Sequence, residues 1–199
     1  SLTHGNAQAV TLFPAIGSGI KAVFSARFTK SRIWDICRTF GCTSFSLLGG
    51  MMAGIFNEPT KENDGDNPVK TVISAGTPTA IWQDFENRFG VKIMEWYGAV
   101  EGGFAYKPPG KGPVGSFGKP IPGMMQFKVV DESDNEVPTG EPGELICRMM
   151  KGDTKVDYLD NAQASEEKTR GGWLRTGDMV SKDEKGWFFF CHRKGSELR

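Results

Sequence analysis

Apolar positions follow one spacing in the first half of the chain and another in the second. Up to about residue 100, short apolar runs alternate with stretches in which apolar residues recur every third or fourth position. The first pattern suits a strand buried on one or both faces, and the second suits one stripe of a helix. Residues 21–25 (Lys21, Ala22, Val23, Phe24, Ser25) read as a short strand. Ile33, Trp34, Ile36, Cys37 and Phe40 share a helical face, with Thr29 or Ser31 as cap and Gly41 as stop. Residues 43–48 are β-prone and residues 49–56 form a helix of small side chains. Residues 57–68 are polar and rich in turn formers, which predicts a surface loop. Thr71, Val72, Ile73 and Ser74 then read as a strand, and Pro78 stands where a helix start tolerates proline. Ile81, Trp82, Phe85 and Phe89 make an apolar stripe that ends at Gly90, and residues 91–96 return to a strand. Strands separated by helices of this length predict a parallel sheet with helices packed on it.

After Glu101 the pattern changes. Residues 102–123 are dense in glycine and proline and leave no room for a helix. Residues 126–131, 143–150 and 187–191 are β-like, separated by turn clusters such as Asp131-Glu132-Ser133-Asp134-Asn135. The expected fold class is therefore α/β: a parallel sheet flanked by helices, followed by a mostly β, barrel-like subdomain. The expected domains are residues 1–105 and residues 106–199.

Composition narrows the function classes. The 199 residues are 38% hydrophobic and 24% charged, as in ordinary soluble domains. Lys and Arg number 24 and so do Asp and Glu, so no net field draws the chain to nucleic acid or an anionic membrane. Cys37, Cys42, Cys147 and Cys191 form no C-x-x-C pair, and there are two histidines, which argues against structural zinc. Four cysteines in this length do not make a disulfide framework, and the expected setting is the reducing cytoplasm. No apolar run reaches membrane-spanning length. The chain starts at Ser1 without a methionine and stops at Arg199 after a charged segment, which reads as an internal fragment.

Four segments have the composition of ligand sites. In Glu95-Trp96-Tyr97-Gly98-Ala99-Val100-Glu101-Gly102-Gly103, an apolar strand ends in an aromatic and then a carboxylate among glycines. Ligands of open α/β sheets bind beyond the carboxyl ends of strands. Tyr97 could stack on a base, and Glu101 could hold Mg²⁺ bridging phosphates. Ser74-Ala75-Gly76-Thr77-Pro78 is a strand-to-helix turn small enough for close backbone approach, with a helix start that favours anions. In Gly171-Gly172-Trp173-Leu174-Arg175-Thr176-Gly177-Asp178, a carboxylate on a glycine turn is suited to accept from both hydroxyls of a ribose. Phe188-Phe189-Phe190-Cys191-His192-Arg193-Lys194-Gly195 brings Arg193 to a strand end, where it could meet phosphate or ribose oxygens. Each has an ordinary reading too: a tight turn, an N-cap at Thr77, a β-turn, a solvated basic strand end. His4 alone is as well explained by a structural hydrogen bond.

Order and spacing favour the ligand readings together. The strings Thr3-His4-Gly5-Asn6-Ala7-Gln8, Ser74-Ala75-Gly76-Thr77-Pro78, Tyr97-Gly98-Ala99-Val100-Glu101, Gly115-Ser116-Phe117-Gly118-Lys119-Pro120, Gly140-Glu141-Pro142-Gly143-Glu144-Leu145, Gly172-Trp173-Leu174-Arg175-Thr176-Gly177-Asp178 and His192-Arg193-Lys194 run from end to end of the chain. In this succession the chain resembles the adenylate-forming superfamily of acyl-CoA synthetases, luciferases and peptide-synthetase adenylation domains. Within it, the chain is most similar to acyl-CoA ligases of the crotonobetaine/carnitine and fatty-acid type.

The resemblance implies the substrates ATP (leaving as AMP), coenzyme A and a carboxylic acid, together with Mg²⁺. It implies nucleotide binding by Ala75, Gly76, Thr77, Trp96, Tyr97, Gly98, Val100, Asp178 and Arg193. Tyr97 would stack on adenine and Asp178, aided by Arg193, would hold the ribose. Glu101 would meet Mg²⁺ and phosphate, and His4 would sit by the acyl group and the incoming thiol. The acyl pocket would draw on residues 4–7 and 47–52, which suit an aliphatic or small aromatic acid. Three positions depart from the family pattern: Val100 replaces a threonine, His192 an aspartate, and Gly195 the usual hinge residue. The family's phosphate loop and small C-terminal domain fall outside the matched strings, so the chain alone is not expected to turn over. Two other readings stay open, an adenylating enzyme with a carrier-protein acceptor and a non-catalytic nucleotide-binding relative. The acid and the oligomeric state are not specified by the sequence.

Overall fold

The computed structural model describes residues 2–195; Ser1 and residues 196–199, the end of the charged tail, lie outside the described residues. The chain divides into two compact units, residues 1–95 with 108–115, and residues 96–107 with 116–199.

The first unit opens with a π-helical segment, Asn6–Leu12, that continues into α1 (Phe13–Ser18). The strand expected over residues 21–25 does not form: the segment is irregular and Phe24 faces solvent. An apolar run becomes a strand against a neighbouring ladder, and this one packs on none. α2 (Ile33–Phe40) carries the expected stripe, but neither Thr29 nor Ser31 caps it; Arg32 holds the cap position without a side-chain bond. The expected stop is Gly41, in the left-handed region at φ 64°. The alternation then follows the pattern: β1 (Ser44–Leu48), α3 (Gly49–Phe56), β2 (Thr71–Ala75), α4 (Trp82–Phe89) and β3 (Lys92–Ala99). A 3₁₀ turn, Thr79–Ile81, separates Pro78 from α4. The three strands are parallel in the order β1-β2-β3, with the unit boundary falling within β3 after Glu95.

Alternation along the strands places Leu47, Val72 and Ile93 on the buried face, against Met52, Ile55, Trp82, Phe85 and Phe89 from the helices. Trp34 of α2 stacks on Phe89 at 4.4 Å between ring centroids. The loop of residues 57–68 is pinned rather than free. Arg88 Nε donates to Asp64 Oδ2 at 2.8 Å, and its other nitrogens donate to the carbonyls of Phe56, Glu58 and Pro59. Burial alone would raise the Asp64 carboxyl; the Lys61 amide and the Arg88 guanidinium outweigh it and hold it below its usual range.

The second unit contains β4 (Gly102–Lys107), β5 (Ser116–Pro120), β6 (Met125–Val130), β7 (Gly143–Met149), α5 (Ala162–Lys168), β8 (Leu174–Lys182) and β9 (Phe188–Arg193). Its strands run β4-β5-β9-β8-β7-β6 with antiparallel pairing throughout. This is the expected β-rich half, and its sheet is open, with β6 as the edge strand. Phe117, Phe127, Leu145, Cys147, Leu174, Val180 and Phe188 form its core. Among the described residues no helix is long and apolar enough to cross a membrane.

Candidate functional site

In the first unit, strand alternation leads from the core to a polar cluster. Ser74 follows Val72 and Glu95 follows Ile93 on the same buried face, and Ser74 and Glu95 are paired in register across β2 and β3. Glu95 is only 4% exposed, so its carboxylate must find donors. The turn after β2 supplies them. Glu95 Oε1 accepts from Gly76 N at 2.5 Å and Thr77 N at 3.1 Å, and Oε2 accepts from Thr77 Oγ1 at 2.5 Å. The Thr77 and Ser74 hydroxyl oxygens lie 2.8 Å apart. The anion that the small-residue turn was expected to attract is thus, in the free chain, an internal carboxylate. Glu95 was missed as a site residue, although a charge two positions after Ile93 in an alternating strand was the available signal. Around this turn Ala75 is half-buried and Gly76 exposed.

The backbone here is also approached from α3. A Cβ on Gly49 would lie 1.7 Å from the Gly76 carbonyl oxygen, so only glycine fits at the start of that helix. Farther along the unit, His4 is exposed and accepts on Nδ1 from Asn6 N at 3.1 Å. Asn6 is buried and donates from Nδ2 to Ser46 Oγ at 3.2 Å. Of the residues expected to line an acyl pocket, Leu47 and Met52 belong to the core.

In the second unit, Tyr97, Asp178 and Arg193 come together. Tyr97 hydroxyl donates to Asp178 Oδ2 at 2.5 Å. One face of the Tyr97 ring stacks on Phe117 at 4.6 Å, and Phe127 meets it edge-on. Burial and then the Asp178 carboxylate push the Tyr97 hydroxyl well above the usual phenol range, so it stays a donor. Asp178 is 9% exposed, and β8–β9 pairing sets it opposite Arg193, whose Nε lies 4.0 Å from Oδ1. Gly98 sits where a Cβ would press on the Trp96 ring at 3.1 Å.

Glu101 is half-buried just beyond β3. Its Oε1 accepts from Tyr158 hydroxyl at 2.8 Å and lies 3.9 Å from Lys168 Nζ. The Tyr158 hydrogen bond, more than any other influence, holds the Glu101 carboxyl below its usual range. Tyr158 and Lys168 were not anticipated: they come from a polar stretch and from α5, which has no apolar stripe. Val100 next to Glu101 is 97% exposed. Among the described residues no three His, Cys, Asp or Glu side chains converge as a metal site. An ionised Glu101 still fits Mg²⁺ of the kind held by one carboxylate plus substrate phosphates and water.

Comparison with known proteins identifies the family and the fold. The family of AMP-binding enzymes matches residues 1–152. A medium/long-chain-fatty-acid–CoA ligase of Mycobacterium tuberculosis, FadD17, is 32% identical over 200 residues, covering all of this chain and 39% of the relative. A second from the same organism, FadD6, is 28% identical over 214 residues, covering all of this chain and 36% of its own length. The chain therefore spans little more than a third of the length of these curated relatives. Among solved structures, a benzoate CoA ligase from Burkholderia xenovorans superposes with a TM-score of 0.79 at 26% identity over 90% of this chain and 37% of that one. The fold is also that of the anthranilate CoA ligase AuaEII in complex with anthranoyl-AMP, with a TM-score of 0.84 at 24% identity over 97% of this chain and 38% of that one. With more than half of its residues matched and its fold shared with these ligases, the chain belongs to the family of AMP-binding enzymes.

Proposed function

We propose that the full-length protein is an acid–thiol ligase that activates a carboxylic acid as acyl-AMP and transfers the acyl group to coenzyme A. The observation that carries this reading is the Tyr97–Asp178 pair, an aromatic ring beside a buried carboxylate, in a chain of this family. In the reaction a substrate carboxylate oxygen attacks the α-phosphorus of ATP, and the bond to pyrophosphate breaks. The sulfur of coenzyme A then attacks the acyl carbon, and AMP leaves with the electrons of the mixed-anhydride bond. The protein contributes position and charge rather than a covalent intermediate.

In this reading Tyr97 packs on adenine beside Trp96 and Gly98, and Ala75, Gly76 and Thr77 line the base and acyl group. Asp178 and Arg193 hold the ribose. Glu101 would hold Mg²⁺, which would supply charge neutralisation for the phosphates, and Val100 contributes only backbone polar groups where a threonine would add a hydroxyl. His4 lies by the acyl group. We take residues 1–105 as the acyl- and adenine-binding part and residues 106–199 as the β-rich part that ends at the interdomain hinge. The apolar residues around 47–52 favour an aliphatic or small aromatic acid, in keeping with relatives named for fatty acids and benzoate. The setting we propose is the cytoplasm, supported by four free cysteines and by the use of ATP and coenzyme A.

The test is ATP–pyrophosphate exchange by the full-length protein across short, long, branched and aromatic acids. Exchange that depends on one acid class and is lost in Asp178→Ala supports the reading. Silence across the panel, with no ATP binding by calorimetry, sinks it. Exchange without an acyl-CoA product shifts the acceptor to a carrier-protein thiol.

A further inference from the structure

Asp178 lies inside a bulge. β7 and β8 pair at Gly143↔Val180 and Glu144↔Met179, and again at Ile146↔Arg175 and Cys147↔Leu174. Between those two blocks β7 has one residue, Leu145, while β8 has three: Thr176, Gly177 and Asp178. Surplus residues on one strand bend it, re-aim its side chains and deprive its backbone of ladder partners.

Two side chains replace the missing ladder. Thr176 Oγ1 donates to Leu145 O at 2.7 Å and accepts from Asp178 N at 3.0 Å. Glu144 Oε1 accepts from Gly177 N at 3.2 Å. Gly177 has φ 76°, a conformation open to glycine and strained for other residues. The second Glu144 oxygen lies 3.5 Å from Arg175 Nη1 and 3.9 Å from Lys194 Nζ, while Lys194 N donates to Gly177 O at 2.8 Å. Glu144 is 9% exposed. It therefore links Gly177, the residue before Asp178 on β8, to Lys194, just past the end of β9. An apolar residue at 144 would leave the Gly177 amide without this acceptor.

We propose that Glu144 is a positioning residue for the nucleotide, fixing the bulge so that the Asp178 carboxylate stays aimed at the ribose hydroxyls. Thr176 works with it. This rests on the assignment of the ribose to Asp178 under the proposed function.

The test is calorimetric titration of the full-length protein with AMP and with 2′,3′-dideoxy-AMP, which lacks both hydroxyls. Wild type is expected to favour AMP. Glu144→Ala and Thr176→Val are expected to weaken AMP on the order of tenfold, the effect of one lost buried hydrogen bond, and to leave the dideoxy nucleotide nearly unchanged. Glu144→Gln keeps an oxygen for the Gly177 amide and should retain most of the preference. If a variant does not fold, the other two carry the test. A variant that weakens both nucleotides by the same factor marks a general structural role and overturns the proposal, as does a preference that survives in all three. Wild type with no preference overturns the ribose assignment itself, and this inference with it.

Discussion

At Tyr97, environment turns an ordinary phenol into a permanent donor. Burial disfavours the phenolate, and the Asp178 carboxylate that accepts its hydrogen bond disfavours it further. The folded-state pKa is therefore raised above the unfolded value of about 10. The stabilisation is complete below about pH 10 and is lost as pH rises toward the folded value, because the unfolded chain then sheds a proton that the folded one keeps. Tyr97→Phe should flatten the fall in stability between about pH 10 and pH 11, read as denaturant midpoints at several pH values. Equal slopes for wild type and variant would show that the pair carries no such linkage. Tyr97, Glu101, Asp178 and Arg193 were singled out as candidates because each stands in a short string of unusual composition. Tyr158 was not, since it reaches Glu101 from 57 positions away and nothing local marks it. Glu95 lies between these cases: its charge in a strand of alternating burial could have been noticed, but its partners are turn amides that no side-chain pattern records.

Elements were legible where a period met a stop. α2 and α4 carry apolar stripes closed by glycine, and β6, β7 and β9 lie in the β-like runs that the pattern marked. β4 and β5 were hidden by the glycines and prolines that surround them in sequence. β8 was hidden because its bulge residues look like a turn, and α5 because its exposed, polar surface has no stripe to read. Residues 21–25 show the reverse error, an apolar run without a ladder. α3 makes a sharper point, since two adjacent glycines have opposite meanings. Gly49 meets the Gly76 backbone, whereas a Cβ on Gly50 would meet nothing within 4 Å. Gly49→Ala should cost about 1–3 kcal/mol through overpacking against a backbone that cannot yield. Gly50→Ala should stabilise by about 0.5–1 kcal/mol through helix propensity. Urea midpoints of the two variants decide the matter, and a shift in the same direction for both would mean that α3 does not lie against that turn.

For the whole molecule, the family was legible because its strings recur in order along the entire chain, and two of them, around Asp178 and Arg193, lie beyond the matched residues 1–152. The division into units was less legible: residues 108–115 follow β4 in sequence yet belong to the first unit, where a Cβ on Gly115 would lie 3.0 Å from Thr79 Oγ1. Two cores mean two sets of local opening energies, so ligand effects should be regional rather than uniform. A nucleotide that binds the folded state stabilises it by mass action, by about 2.7 kcal/mol at a hundredfold excess over the dissociation constant. With AMP at that excess, the 199-residue chain should show slowed amide exchange along β8 and β9, where Asp178 and Arg193 pair. Catalysis is another matter, since the chain spans only 36–39% of the length of these curated relatives. The same sample is therefore expected to bind AMP and to catalyse no pyrophosphate exchange. Exchange activity would show that the 199 residues hold the whole adenylating apparatus. Unchanged protection along β8 and β9 at saturating AMP would remove Asp178 and Arg193 from the nucleotide site.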